Sequence, residues 1–306
     1  MESLQPTRRR RPLRGRVGLI AAVFLFPFML RFVVFSIGPI LAGLALSFTS
    51  YDALSPPRWV GIANYANILF GTEESTRIFW RSGVNTIYFA VGQVGLEMSS
   101  GLALALLANA RLLRAKTMWR VFFYTPVITS TIASALIWLW LYNVQVGLFN
   151  TILRGLGLPT LKWLLDPGLA MPCVIIMSTW AGAGWSMVVY LAGLQGIPEN
   201  LYEAARMDGA NTWQQFWKVT LPLLMPVTFF IVILGFIGSL QVFGQVYVMT
   251  EGGPIGATMT ITYHIYNTAF QYYRLGYASA MSFLLFLLIL FFSVLNYRFF
   301  GGRVEY

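Results

Sequence analysis

At 306 residues, with 57% hydrophobic and only 10% charged residues and a mean hydropathy of +0.66, the chain lies far outside the soluble globular class, in which about a quarter of residues are charged. Its formal net charge of +10 would suit a nucleic-acid ligand only if the basic residues formed one soluble patch, and they are instead distributed between apolar runs. A single cysteine, Cys173, excludes an internal disulfide framework, and its apolar setting marks it as a small packing residue rather than a redox group.

A helix crosses about 30 Å of hydrocarbon with roughly 20 apolar residues, and six runs meet that length, near 19–48, 83–108, 119–142, 170–194, 223–249 and 275–298. Residues 1–18 precede them as a basic tail holding Arg8, Arg9, Arg10, Arg11, Arg14 and Arg16, and 19–306 form one membrane domain. The first run exceeds a signal-peptide core of about 7 to 15 residues and is read as retained. It contains Pro27, Arg31 and Pro39, which predict a tilt, a kink or an interfacial lead-in. Residues 49–82 read as polar and turn-rich ("SPPRW", "GTEEST"), and 144–169 as short amphipathic helices over the outer face. "TEGGPIGAT" reads as a turn in which Gly252 and Gly253 can take positive φ before Pro254 fixes the chain.

Cytoplasmic loops hold the excess of Lys and Arg, which orients the spans. The tail, the loop with Arg111, Arg114, Lys116 and Arg120, the loop with Arg206 and Lys218, and the end with Arg298 and Arg303 total fourteen. The opposite side holds six: Arg58, Arg77, Arg81, Arg154, Lys162 and Arg274. Both termini are therefore expected in the cytoplasm, and the basic balance is accounted for by topology and anionic lipid.

Between spans four and five lies a compact polar segment, 198–222. Pro198 suits the first position of a short helix, Glu199 and Glu203 put acidic charge near its start, and Gly209 can close it in the left-handed conformation. A second helix is predicted from Thr212, where "TWQQ" has the capping-box form, and it is expected to end at Pro222. Trp213, Phe216, Trp217 and Thr220 then share one face. An amphipathic connector resting in the lipid interface would explain the rings. It would not explain Ala204 and Ala205 beside Glu203 just before a tight turn, a pattern suited to close approach by another protein.

The stretch "EAARMDGANTWQQFWKVTLP" resembles the signature loop of the membrane subunits of binding-protein-dependent ATP-binding-cassette importers: Glu-Ala-Ala, a glycine six positions after the Glu, then an aliphatic residue and Leu-Pro. Glu203, Ala204, Ala205, Gly209, Leu221 and Pro222 match it, with Val219 where isoleucine is usual. The extra "DGA" at Asp208 to Ala210, with "TEGGP" at 250–254 and "GYASA" at 276–280, is similar to the carbohydrate branch, the maltose and glycerol-3-phosphate permease subunits among them. The resemblance implies an all-α membrane protein with six transmembrane helices in the type I importer permease (MetI-like) fold, in a prokaryotic cytoplasmic membrane. It further implies that the loop forms a coupling helix docked in a groove of a cytoplasmic ATPase through Glu203, Ala204, Ala205, Asp208, Gly209, Leu221 and Pro222, with Glu203 as polar anchor and Ala204, Ala205 and Gly209 allowing close backbone contact. The implied partners are a second homologous permease subunit, two such ATPase subunits and an extracytoplasmic solute-binding protein. No cofactor is expected on this chain, ATP and Mg being bound by the partner ATPase, and the sequence carries no G-x-x-x-x-G-K-[ST] loop.

Transported sugars are usually held by aromatic faces, amides and hydroxyls. Spans four and five offer Ser178, Trp180, Gly182 and Trp185 on one and Ser239, Gln241, Phe243 and Gln245 on the other. In sugar members of this family the middle of these spans lines the solute cavity, so Ser178, Gly182, Trp185, Ser239 and Gln241 are candidates, although ordinary helix packing also enriches small and weakly polar residues there. Arg31 and Glu97 lie inside spans and either pair as a structural ion pair, the favoured reading, or line the pathway. His264 has no second ligand at metal spacing and reads as a surface or packing residue. No nucleophile, base and orienting group assemble, so catalysis is not expected. The competing class is an ion-coupled secondary transporter acting alone, which would usually carry several intramembrane carboxylates or helices broken at matching places in inverted halves.

Overall fold

The computed structural model describes residues 14–110 and 115–300. Arg8 to Arg11, Arg111, Arg114 and Arg303, seven residues of the charge count, lie outside them.

The chain enters through α1 (Arg14–Phe32), which passes by a π turn (Val33–Ile37) into α2 (Gly38–Ser47). Ala22–Ser47 forms one span without a sharp bend. Pro39 has no amide to donate, and the widened turn just before it, closed by the Gly38 amide on the Val33 carbonyl, carries the helix past that gap. Residues 22–37 are exposed on every side, and α1 packs on little besides the π turn that continues it.

On the far side β1 (Thr49–Ser50) pairs antiparallel with β2 (Arg58–Trp59), and α3 (Ala63–Phe70) follows. Span two is longer than the sequence predicts. As α4 (Glu74–Asn109) it runs 36 residues, about 54 Å, and "ESTRIFWRS" is its first turns rather than loop. Glu74 in the first turn favours the helix N-terminus, which is why polar residues there did not prevent it.

Span three is the largest departure. It forms α5 (Lys116–Ile128) and α6 (Thr131–Leu141), bent by 98° across extended Thr129 and Ser130. Pro126 withholds one amide in the last turn of α5, and the chain leaves the helix within four residues. Next, α7 (Leu148–Gly155) is the amphipathic segment expected over the outer face; below it Trp138, Tyr142, Phe149 and Trp163 pack ring against ring.

Span four is α8 (Ala170–Gln195), the most buried of the spans. It packs mainly along α4 and α5 because small residues let the backbones approach. A methyl group added at Gly101 would lie 2.5 Å from the Ser186 Cβ, and one at Gly184 would strike the Phe123 carbonyl. Cys173 is buried in this core.

After the polar segment described below, span five is α12 (Met225–Ser239), only 15 residues or about 22 Å, followed by a break and a separate α13 (Gly244–Met249). The unbroken helix expected to 249 is thus not formed. In "TEGGPIGAT" Gly252 takes φ +78°, while the other positive values fall on Glu251, Ile255 and Gly256 rather than Gly253. Then α14 (Ile261–Tyr266), a π turn (Asn267–Gln271) and α15 (Leu275–Phe300) complete the described chain, α15 packing on α2, α12 and α14. Among the described residues four helices are long and apolar enough to cross a membrane, or up to six if each bent pair counts as one span.

Candidate functional site

The segment joining spans four and five forms α9 (Glu199–Met207), a turn, and α10 (Thr212–Gln215), which a π turn (Phe216–Thr220) connects to α11 (Leu221–Leu223) and, after a 61° bend, to α12. Pro198 is the extended residue before α9 rather than its first residue. Gly209 stands at φ +81°. The Ala210 amide donates to the Ala205 carbonyl (2.9 Å) and the Gly209 amide to that of Arg206 (3.0 Å), the paired pattern that ends a helix on a left-handed residue. The cap of α10 lies one residue earlier than the sequence predicts. Asn211 Oδ1 accepts from the Gln214 amide and Gln214 Oε1 from the Asn211 amide, both 2.9 Å. Two adjacent residues could each have capped; extended backbone at Asn211 decides between them.

Nor does Pro222 end the second helix: the π turn before it, closed by the Leu221 amide on the Phe216 carbonyl, carries the helix on, and the break falls at Leu224. Trp213 stacks on Phe216 and Trp217 meets both rings edge-on, while Thr220 turns inward to meet the Tyr202 hydroxyl at 3.0 Å and tie the two helices together. None of α9 is buried. Glu203, Ala204, Asp208 and Gly209 are exposed, Ala205 is half-buried, and Met207 keeps 87% of its surface free. Leu221 and Pro222 lie at the foot of span five, half-buried and exposed.

The second feature is a cleft of about 610 Å³ between α4, α8 and the broken ends of spans three and five. Trp185, Ser239, Gln241, Phe243 and Gln245, all named from the sequence, line it, as do Thr131 at the start of α6 and Gly244 at the start of α13. Non-helical backbone within a membrane span is tolerated where it borders such a cavity, so the two breaks and the cleft belong together. Ser178 is not on its wall; it is buried, with its hydroxyl beside the Met177 sulfur. Trp180 faces a separate apolar groove with Thr179 and Ala183.

Gly182 is not on the wall either, but a Cβ there would lie 2.7 Å from the Glu97 carboxyl carbon, so this glycine makes room for the acid. Glu97 does not pair with Arg31, which is exposed on α1. Its two oxygens accept from Ser186 Oγ (2.8 Å) and Gln93 Nε2 (3.1 Å), and Gln93 Oε1 in turn accepts from Ser239 Oγ at 2.6 Å. The polar chain Ser186–Glu97–Gln93–Ser239 therefore joins spans four, two and five at the cleft wall. Gln93 and Phe89 were missed from the sequence; the signal was present, since Gln93 and Glu97 stand four apart on one face of an apolar helix.

Up to six apolar spans among the described residues, with helix breaks before Thr131 and Gly244 bordering a polar cleft, mark a membrane protein built around a solute-sized cavity. The same fold occurs in a bacterial importer of the acidic polysaccharide alginate (TM-score 0.82, 23% identity, covering 95% of this chain and 98% of that one). The MetNI methionine transporter is more distant, with a TM-score of 0.55 over 76% of this chain. The chain belongs to the family of binding-protein-dependent transport system inner membrane components, whose sequence profile matches residues 101–304. It is thus a permease subunit of an ATP-binding-cassette importer. Among its relatives are the trehalose/maltose transport system permease protein MalF of Thermococcus litoralis, 37% identical over 92% of this chain and 94% of that one, and the lactose permease protein LacF of Rhizobium radiobacter, 32% identical over 90% and 92%. The sn-glycerol-3-phosphate permease protein UgpA of Agrobacterium fabrum is 31% identical over 94% and 97%.

Proposed function

We propose that this permease passes a sugar or sugar-like solute inward through the cleft, and that the knuckle of α9 and α10 couples it to an ATPase. The observation that carries the coupling is the exposure of α9: a nine-residue helix with nothing buried, presenting Glu203, Ala204 and Met207 outward and held by the Tyr202–Thr220 bond. Such a surface suits a protein groove better than the lipid interface, because Glu203 and Asp208 flank its apolar residues. The supports for a sugar are the cleft's aromatic faces and amides, together with relatives named for trehalose, maltose and lactose.

In this reading a second homologous permease subunit completes the path, an external binding protein delivers solute, and two ATPase subunits bind ATP and Mg, none of it on this chain. Both termini and the knuckle face the cytoplasm. Ligand-loaded binding protein and ATP together must favour the outward-facing state, since only differential affinity shifts such an equilibrium. The broken helices would equally suit a secondary transporter acting alone; family membership and the exposed knuckle favour the importer.

Mild solubilisation separates the two readings: an ATPase subunit should copurify with this chain, and vesicles holding the chain alone should accumulate no solute. Trp185→Ala should weaken the apparent affinity for solute by about tenfold, through loss of a stacking face, while leaving ATPase copurification intact. Unchanged affinity would remove Trp185 from the path.

A further inference from the structure

We infer that Glu97 is a specificity-determining residue that sets the charge preference of the cleft, so that the solute is neutral and rich in hydroxyls. The inference rests on the cleft being the solute path. Of the residues lining the cleft, Glu97 is the one acidic or basic side chain; the others are apolar, amide or hydroxyl, with no Lys, Arg or His among them. The acid is built in rather than incidental. It is 8% exposed, Gly182 leaves the space it occupies, and both oxygens receive donors from two different helices.

The direction of those bonds matters. Because Gln93 Oε1 is engaged by the Ser239 hydroxyl, the Gln93 amide presents its N–H to Glu97, and Ser186 presents a hydroxyl from the other side, so the group is arranged to act as an acceptor. A carboxylate offers about four lone-pair sites, and two are left for hydroxyls donated by a solute. A neutral polyol loses its water shell and regains acceptors here. An anion would meet a like charge in a low-dielectric setting with no cation on this wall to offset it, which disfavours it by a factor of about ten or more.

Glu97 could instead serve only to staple spans two and four, and the test must move something that a staple would not. The assembled complex of permease and ATPase subunits, in nanodiscs and without the binding protein, would be titrated with radiolabelled trehalose and with digalacturonate. The native complex should favour trehalose by at least about tenfold, and Glu97→Gln, of the same shape, should shift that preference about tenfold towards digalacturonate. Gln241→Lys, which puts a cation at an exposed point of the same wall, should shift it the same way, and an unchanged ratio there overturns the inference even should Glu97→Gln fail to assemble, because the cleft would then not read solute charge.

An unchanged ratio in the assembled variants overturns the inference. So does a native complex that binds neither probe, or one that prefers a cationic amino-sugar disaccharide to trehalose. Trp185→Ala keeps the two readings apart: if it alters probe binding while the charge variants leave the ratio alone, only the role of Glu97 fails; if none of the variants alters binding, the cleft is not the path.

Discussion

Gly209 stands at φ +81° with open space where a side chain would begin, so the backbone conformation alone requires glycine there. An L-residue in that region costs about 1–2 kcal/mol, more for a branched one, whereas Asn tolerates it. Gly209→Val should therefore leave the protein in the membrane but lower solute uptake per ATP hydrolysed severalfold, and Gly209→Asn should keep most of the coupling. Uptake and phosphate release measured on the same reconstituted vesicles check this; full coupling in the valine variant would mean that the turn does not transmit force. Glu97 illustrates a different constraint. An acid is tolerated inside a span because Gly182 and the donor Ser186 on α8, and the donor Gln93 one turn away on its own helix, were placed around it.

Among the elements, α14 carries the chain's one histidine into a closed setting between α4 and α15. His264 is 4% exposed, and burial holds its pKa down at about 4, against an opposing contact with the Ser75 backbone. Between the ordinary value of 6.5 and about 4, the unfolded chain binds the proton more readily than the folded one. Stability is therefore complete above pH 6.5 and declines as pH falls through that window, by at most about 3 kcal/mol. Thermal unfolding of the purified complex at pH 7 and pH 4.5 should show a larger drop for the native protein than for His264→Gln, the difference isolating this group from the carboxylates. Equal drops would show that the imidazole is not the sensor. The bend between α5 and α6 and the interruption between α12 and α13 follow another rule. Each leaves the helix where a cleft lies beside it, and α6 packs against α13 so that the two breaks close one wall.

For the whole molecule, the body formed by α4, α8, α12 and α15 is separate from two projections: the exposed α1 on one flank and the α9–α10 knuckle beyond the spans. If the knuckle faces the cytoplasm, a cysteine placed at Ala204 in a Cys173→Ser background should react with an impermeant maleimide in inside-out vesicles and not in intact cells. Labelling from outside the cell would reverse the topology and remove the coupling role. A rigid connection between knuckle and body suits this task. Continuous helix runs from Thr212 through the π turn to Leu223, so a push on α10 reaches the foot of span five directly.

The sequence determined the membrane class, the six apolar runs, the charge asymmetry and the coupling signature, because each is a property of neighbouring residues: length of apolar run, sign of a loop, a glycine after a helix. Gly209 and the amphipathic α7 were legible for the same reason. What only the tertiary structure decided lies in relations across distance. An apolar run reads the same whether its helix is straight or broken, so the bend at Thr129–Ser130 and the break after Ser239 were invisible until both could be seen to border the cleft, with α6 packed on α13. Glu97 likewise reads as a lone acid until Ser186, 89 residues away, and Gly182 are folded against it. Hydropathy is additive along a chain, whereas a polar group inside a membrane is made tolerable by partners that the chain brings from elsewhere.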